Sequence, residues 1–223
     1  MKPILVILLA LAFGAVIAMA VRQDRQRKRL LRAWAHSHDF AMHEGRCDGW
    51  EHEYPAFKLF ERGRHRHSSL HLDGEVDGRR VRCLDYRFTT GSGKNRRVHR
   101  HGLVIMDTGT PVLPLRIRRE HVFDRVGEFM GFDDIDFESA EFSRRFHVSG
   151  PDRKWAYDII HPETMDYLMT TPSVAVEFGH GEIMVNRNGS LSGHGCQEDL
   201  RVVRKLLELV PSDVLAQLRG EST

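Results

Sequence analysis

The sequence predicts an α+β protein, with an N-terminal transmembrane helix followed by one domain that has an antiparallel or mixed sheet and several helices. An uncharged apolar run over residues 4–21 predicts the first helix. Residues 81–89 alternate with a period of two, which predicts a strand, and residues 197–210 have the spacing of an amphipathic helix. Strands come mostly before helices, which is typical of α+β folds. We therefore expect an anchor over residues 1–21, a basic juxtamembrane helix and linker over 22–53, and the soluble domain over 54–223.

The apolar run is the strongest single signal. It has 18 residues without a charge, and about 18 or more such residues are enough to cross ~30 Å of hydrocarbon as a helix. The next eleven residues include six basic ones: Arg22, Arg25, Arg27, Lys28, Arg29 and Arg32. Because basic flanks stay on the cytoplasmic side, this pattern predicts a single-pass protein of the cell membrane with its C-terminal domain in the cytoplasm.

A cleaved signal peptide is the alternative for the same segment. Ala18-Met19-Ala20 has the small-x-small pattern of a cleavage site, and cutting there would export the chain. The apolar run is longer than the usual signal-peptide core of ~7–15 residues. Arginines directly after a cleavage site also oppose translocation. Both arguments favour the retained anchor.

Charge is distributed unevenly along the chain. The formal net charge is +2, but without Lys2 and the basic flank the remainder has 26 basic and 30 acidic residues. The basic character therefore belongs to the membrane edge, and no basic surface for nucleic acid is expected. A polybasic segment beside a membrane is attracted to anionic head groups by about 1 kcal/mol per residue, so we expect the six flank residues to contact anionic lipid. Three scattered cysteines without a CxxC pair fit a reducing compartment.

The domain is predicted element by element from periodicity and turn signals. Residues 20–40 continue the first helix out of the membrane, with an apolar face that lies on lipid or docks on the domain. The expected strands are 57–60, 63–72, 81–89, 98–106 and 112–117, then a late hairpin of 174–178 and 182–186. The expected helices are 120–130, 139–146, one capped by Ser149, 163–169 and 197–210, with a loop over 188–195.

Three phrases occur together in a recognisable order: LDYRFTTGSGKNRRVHR (84–100), GFDDIDFESAEFSRRFHV (131–148) and DRKWAYDIIHPETMDYLM (152–169). With the N-terminal anchor, this arrangement resembles a family of uncharacterised bacterial membrane-anchored proteins that share a domain of unknown function. Leu84 stands where that pattern has an aromatic residue. The resemblance implies the fold and the anchoring, and it implies no activity.

A glycine-rich loop is one candidate site. Gly91-Ser92-Gly93-Lys94 is not a Walker phosphate loop, because Phe88 stands at the required glycine and Asn95 replaces the Ser or Thr. What remains is a polar hairpin tip that is a candidate for contact with lipid phosphate or an acidic partner. Its basic residues are Lys94, Arg96, Arg97 and Arg100.

Histidines and acidic residues offer a candidate metal site. Neutral imidazoles on one strand face can ligate a transition metal, but the nearby arginines oppose a cation and no zinc-type spacing is present. The candidate ligands are His65, His67, His71, His99 and His101. An acidic turn over residues 133–138 offers hard oxygens but lacks an EF-hand pattern.

No catalytic residue is assigned, because no nucleophile motif is present. We expect a membrane-tethered cytoplasmic domain, not an enzyme and without a cofactor, that binds membrane lipid or an unidentified protein at the inner leaflet. The alternative is a metal-dependent, hydrolase-like enzyme that uses the histidines and the acidic turn.

Overall fold

The computed structural model describes residues 2–119, 135–172 and 174–220. The helices and strands are, in order, α1 (Lys2–Ser37), β1 (Ala41–Cys47), α2 (Trp50–Glu53), the 3-10 helix η1 (Lys58–Glu61), β2 (Arg64–Val76), β3 (Arg79–Thr90), the 3-10 helix η2 (Gly93–Asn95), β4 (Arg97–Asp107), β5 (Leu115–Arg119), α3 (Ala140–Arg145), β6 (Phe146–Ser149), α4 (Arg153–Ile159), α5 (Pro162–Thr170), β7 (Ala175–Gly179), β8 (Glu182–Asn188), α6 (Gly193–Leu209) and α7 (Ser212–Leu218).

The eight described strands form a single sheet in the order β1-β2-β3-β4-β8-β7-β5-β6, and every described pair is antiparallel. Tight turns close two of the hairpins. Asp77-Gly78 joins β2 to β3 and His180-Gly181 joins β7 to β8, each with a positive φ at both residues, as a two-residue turn of the primed type requires. The predicted α+β class is confirmed, and of the two expected sheet types, antiparallel or mixed, the described strands form the antiparallel one.

The sheet is buried on both faces. Along β3, Val81 and Cys83 point into a core that includes residues of α1 and α6, such as Leu31 and Val203. On the opposite face, Leu84, Tyr86 and Phe88 belong to an aromatic core that includes α2 and η1. Since successive side chains of a strand point to opposite faces, the predicted alternation of β3 corresponds to these two cores.

The first strand differs from its prediction. Residues 57–60 were expected to be a strand, but Lys58–Glu61 form the 3-10 helix η1, whose Leu59 and Phe60 are buried among aromatic rings. The first strand is β1, within the stretch expected to be helix and linker, where it pairs with β2 at the sheet edge. A four-residue apolar run does not distinguish a strand from a tight helical turn, and β1 is too polar to show alternation.

Other boundaries are shifted. Helix α4 is capped by Asp152, which accepts a hydrogen bond from the Trp155 amide at 2.9 Å, because Ser149 is still paired in β6. Helix α6 begins at Gly193, inside the predicted loop. There an added Cβ would lie 2.8 Å from Trp34 Cβ of α1, so this close approach requires a glycine. The predicted helix over 120–130 lies outside the described residues.

The described side chains leave out those of residues 1–8 and 10. Among the described residues, no helix is both long and apolar enough to cross a membrane.

Candidate functional site

A basic cleft opens between α1 and the sheet. Its volume is about 650 Å³, and it lies on the face of the sheet that α1 covers. Its wall includes the last residues of the apolar run and several residues of the basic segment that follows in α1. Side chains from β1, β3 and β4 complete the wall. The lining residues are Ala20, Val21, Asp24, Arg25, Lys28, Arg29, Arg32, Glu44, Arg87 and Arg100.

The docking of α1 determines which basic residues face the cleft. Arg27, Leu31 and Ala35 follow one another at i, i+4 and i+8, and therefore lie on one side of the helix. Leu31 and Ala35 are buried against the domain. Arg27 points the same way: its Nη1 lies 2.9 Å from Oδ2 of the fully buried Asp85 and donates to the Leu191 carbonyl oxygen at 2.6 Å. Arg27 therefore binds groups of the protein itself, whereas Arg25, Lys28 and Arg29 of the same helix line the cleft.

The cleft carries an excess of positive charge. Glu44 pairs with Lys28 at 3.4 Å and also with Arg32, and Asp24 pairs with Arg27 at 2.7 Å. The pKa of Glu44 is lowered: desolvation alone would raise it, but the hydrogen bonds from the two basic side chains outweigh that effect. Both carboxylates are thus ionised at neutral pH and already paired with basic side chains of α1.

Three guanidinium groups of the cleft are not neutralised. Within the described ranges, Arg25, Arg29 and Arg100 have no acidic partner. Arg87 donates from Nη2 to Ser69 Oγ at 3.2 Å, and its buried Nε has no hydrogen-bond partner among the described atoms. A buried donor without a partner is costly.

The structure separates the predicted loop residues. Arg100 lines the cleft, whereas Lys94, Arg96 and Arg97 are exposed at the hairpin tip around η2. Of the basic flank, Arg22 is exposed and does not line the cleft. Arg87 was missed because it lies in an apolar strand; its shared parity with Asp85, on the face that α1 covers, is the signal that could have identified it.

The five predicted histidines do not converge. The His67 ring bonds the backbone oxygen of His65, and the rings of His99 and His101 stack on Phe88. His101 is buried beside Asn186, with Nδ1 and Oδ1 3.3 Å apart. Burial lowers the pKa of His101 to about 4.

His71 alone of the five enters a group with metal-ligand geometry, formed with His43 and Asp73. Burial lowers the pKa of His71, so its ring is neutral at pH 7. His43 was missed because it lies in the strand that the sequence did not reveal. Asp73 was missed because β2 continues beyond the predicted strand over 63–72.

Two of the three cysteines are unsuited to nucleophilic chemistry. Cys83 and Cys196 are fully buried. The hydrogen bond with Cys196, and then desolvation, raise the pKa of the Cys83 thiol, and a protonated buried thiol is inert. Of the acidic turn, Asp133 and Asp134 lie outside the described residues.

Comparisons with known proteins give one solved structure with the same architecture. No family model matches the chain, and no curated protein matches it. The crystal structure of the mycobacterial trehalose monomycolate transport factor A, TtfA, superposes with a TM-score of 0.61 at 13% identity, covering 82% of this chain and 95% of that one. At this identity the likeness is one of fold.

Proposed function

We propose that this protein is a membrane-tethered domain that binds the anionic headgroup of a lipid in the basic cleft, at the cytoplasmic surface of the membrane. The observation that carries the proposal is the cleft itself, which is lined by Arg25, Arg29 and Arg100, three residues without acidic partners in the described structure. Guanidinium groups bind phosphate oxygens through paired, charge-assisted hydrogen bonds. A phosphate-bearing headgroup therefore fits this lining.

The position of the cleft favours a lipid as the source of that anion. Ala20 and Val21, the last residues of the apolar run, form part of the wall, and α1 continues from this run into the basic segment without a break. A run of 18 residues at 1.5 Å per residue spans about 27 Å. If the run crosses the bilayer, the cleft lies at the depth of the headgroups.

The tether and the cytoplasmic orientation belong to the same proposal, and they are supported by the uncharged run and by the basic residues that follow it. The membrane-anchored family is proposed from the resemblance of residues 84–100, 131–148 and 152–169. The protein with the similar fold is named a transport factor for trehalose monomycolate; from it we take the fold and no substrate.

Native mass spectrometry of the full chain in nonionic detergent, with phosphatidylglycerol or phosphatidylcholine added, tests the proposal. We compare the parent with a variant in which Arg25, Arg29 and Arg100 are changed to Gln. At about 1 kcal/mol per basic residue, losing three contacts should weaken binding of the anionic lipid on the order of a hundredfold. The parent should also prefer the anionic lipid.

The hairpin tip provides a charge-matched control. Changing Lys94, Arg96 and Arg97 to Gln removes the same charge outside the cleft, and this variant should bind like the parent. Equal losses in both variants would mean that the lipid responds to overall charge, and a loss confined to the control would move the site to the hairpin tip. Either result, or equal binding of the two lipids by the parent, would contradict the proposal.

A further inference from the structure

Two histidines and one carboxylate meet on the face of the sheet opposite to the basic cleft. His43 of β1 is the cross-strand partner of His71 of β2, and Asp73 lies two residues further along β2, on the same face. Nε2 of each histidine lies 3.5 Å from the same Asp73 oxygen, Oδ2. The two rings stack with centroids 4.7 Å apart. The three side chains therefore point at one position.

These distances fit a first-row metal ion. Zinc lies ~2.0–2.2 Å from nitrogen and carboxylate oxygen in a tetrahedral site, which places two ligand atoms about 3.4 Å apart. Both nitrogen-to-oxygen separations match that value, and all three ligand atoms lie within 4.8 Å of one another. His43 is half exposed, so its ring can rotate to bring its nitrogen closer to that of His71.

The surroundings hold two of the three ligands in place. Arg82 donates from Nε to Asp73 Oδ1 at 2.5 Å, which turns the other carboxylate oxygen, Oδ2, towards the histidines. The rings of Trp50 and His71 pack edge to face, with their centroids 5.4 Å apart. Arg82 also pairs with Glu53. The positive charge of Arg82 is therefore balanced by two carboxylates, those of Asp73 and Glu53, and it does not make the metal-ligand group positive. Supporting partners of this kind orient metal ligands and strengthen binding.

We propose that His43, His71 and Asp73 form a binding site for a divalent transition metal ion of the zinc type. Two imidazoles and one carboxylate suit such an ion better than Mg²⁺ or Ca²⁺, which favour all-oxygen sites. The ion would link the edge strand β1 to β2. Three protein ligands leave a position for water or for a group of a partner.

Equilibrium dialysis and thermal unfolding of the metal-stripped full chain, without a histidine tag, test the proposal with Zn²⁺, Co²⁺ and Mg²⁺. The parent should take up a single Zn²⁺ per chain, and the ion should raise its Tm, because a ligand of the native state stabilises that state. Co²⁺ should give the visible absorption of a tetrahedral site. Mg²⁺ should do neither.

Two histidine variants separate this site from scattered binding. His43→Ala removes a half-exposed ligand and leaves the core intact, and it should weaken Zn²⁺ binding roughly tenfold or more. His67→Gln, on the same strand as His71 but outside the group, should bind Zn²⁺ like the parent. The proposal is wrong if the parent takes up no Zn²⁺, if His43→Ala binds as tightly as the parent, or if both variants lose affinity equally. In that case the two histidines lie beside Asp73 without holding a metal ion.

Discussion

Arg27 belongs to the polybasic segment, but its side chain forms an ion pair within the protein. Its guanidinium reaches the fully buried Asp85 carboxylate, and neither oxygen of that carboxylate accepts a hydrogen bond from the described residues. Arg27 is the one counter-charge that the described residues give this carboxylate, and a protein is strongly destabilised when a buried carboxylate loses its partner. Arg27 is thus better explained by the attachment of α1 to the sheet than by contact with lipid, unlike Arg25 and Arg29.

His101 makes stability depend on pH. Desolvation lowers its folded-state pKa to about 4, against about 6.5 when unfolded, so the unfolded chain binds the additional proton. Its contribution to stability is complete above about pH 6.5 and is lost as the pH falls towards 4. The loss amounts to about 3 kcal/mol. About 2 kcal/mol of this loss falls between about pH 7.5 and pH 5. Urea unfolding of the parent and of His101→Gln at these two pH values measures that part.

The comparison with the variant is necessary because Glu182 acts in the opposite direction. Desolvation raises its pKa to about 7, so its contribution declines as the pH rises. Glu182 is present in both proteins and its effect cancels in the difference. If the free energies of unfolding of parent and variant change by the same amount between the two pH values, His101 does not carry the effect.

Among the elements, α1 belongs to the domain over its last turns. Leu31 is fully buried, whereas its neighbour Leu30 is 63% exposed. The two are identical residues in the same predicted helix, so the sequence alone does not distinguish them. Leu31→Ala should lower the free energy of unfolding by about 2–5 kcal/mol, and Leu30→Ala by no more than about 0.5 kcal/mol. Urea titration followed by tryptophan fluorescence measures both. Equal small effects would indicate that this part of α1 does not dock on the domain.

The edge strand β1 connects the two proposed sites. Glu44 lines the basic cleft, and the adjacent His43 points to the opposite face, into the metal-ligand group. This follows from the alternation of side chains along a strand. Among the described strands, β1 pairs only with β2. A ligand that holds β1 against β2 therefore affects both the basic cleft on one face of the sheet and the metal-ligand group on the other.

At the scale of the whole molecule, the fate of residues 1–20 determines where the domain works. The intact mass of the protein extracted from its own cells should include these residues, because the arginines that follow hinder export. A mass that begins at Val21 would instead identify an exported protein, and the proposed lipid contact at the cytoplasmic surface would be wrong.

The sequence by itself determined the fold class, the strands with clear alternation and the concentration of positive charge after the apolar run. These features depend on local periodicity and composition. Only the tertiary structure decided which residues meet. Arg87 and Arg100 join the basic residues of α1 through the pairing of β3 with β4, and His43 meets His71 through the pairing of β1 with β2. Such contacts are set by strand register between distant segments, and a polar edge strand carries no periodic signal that would reveal its register.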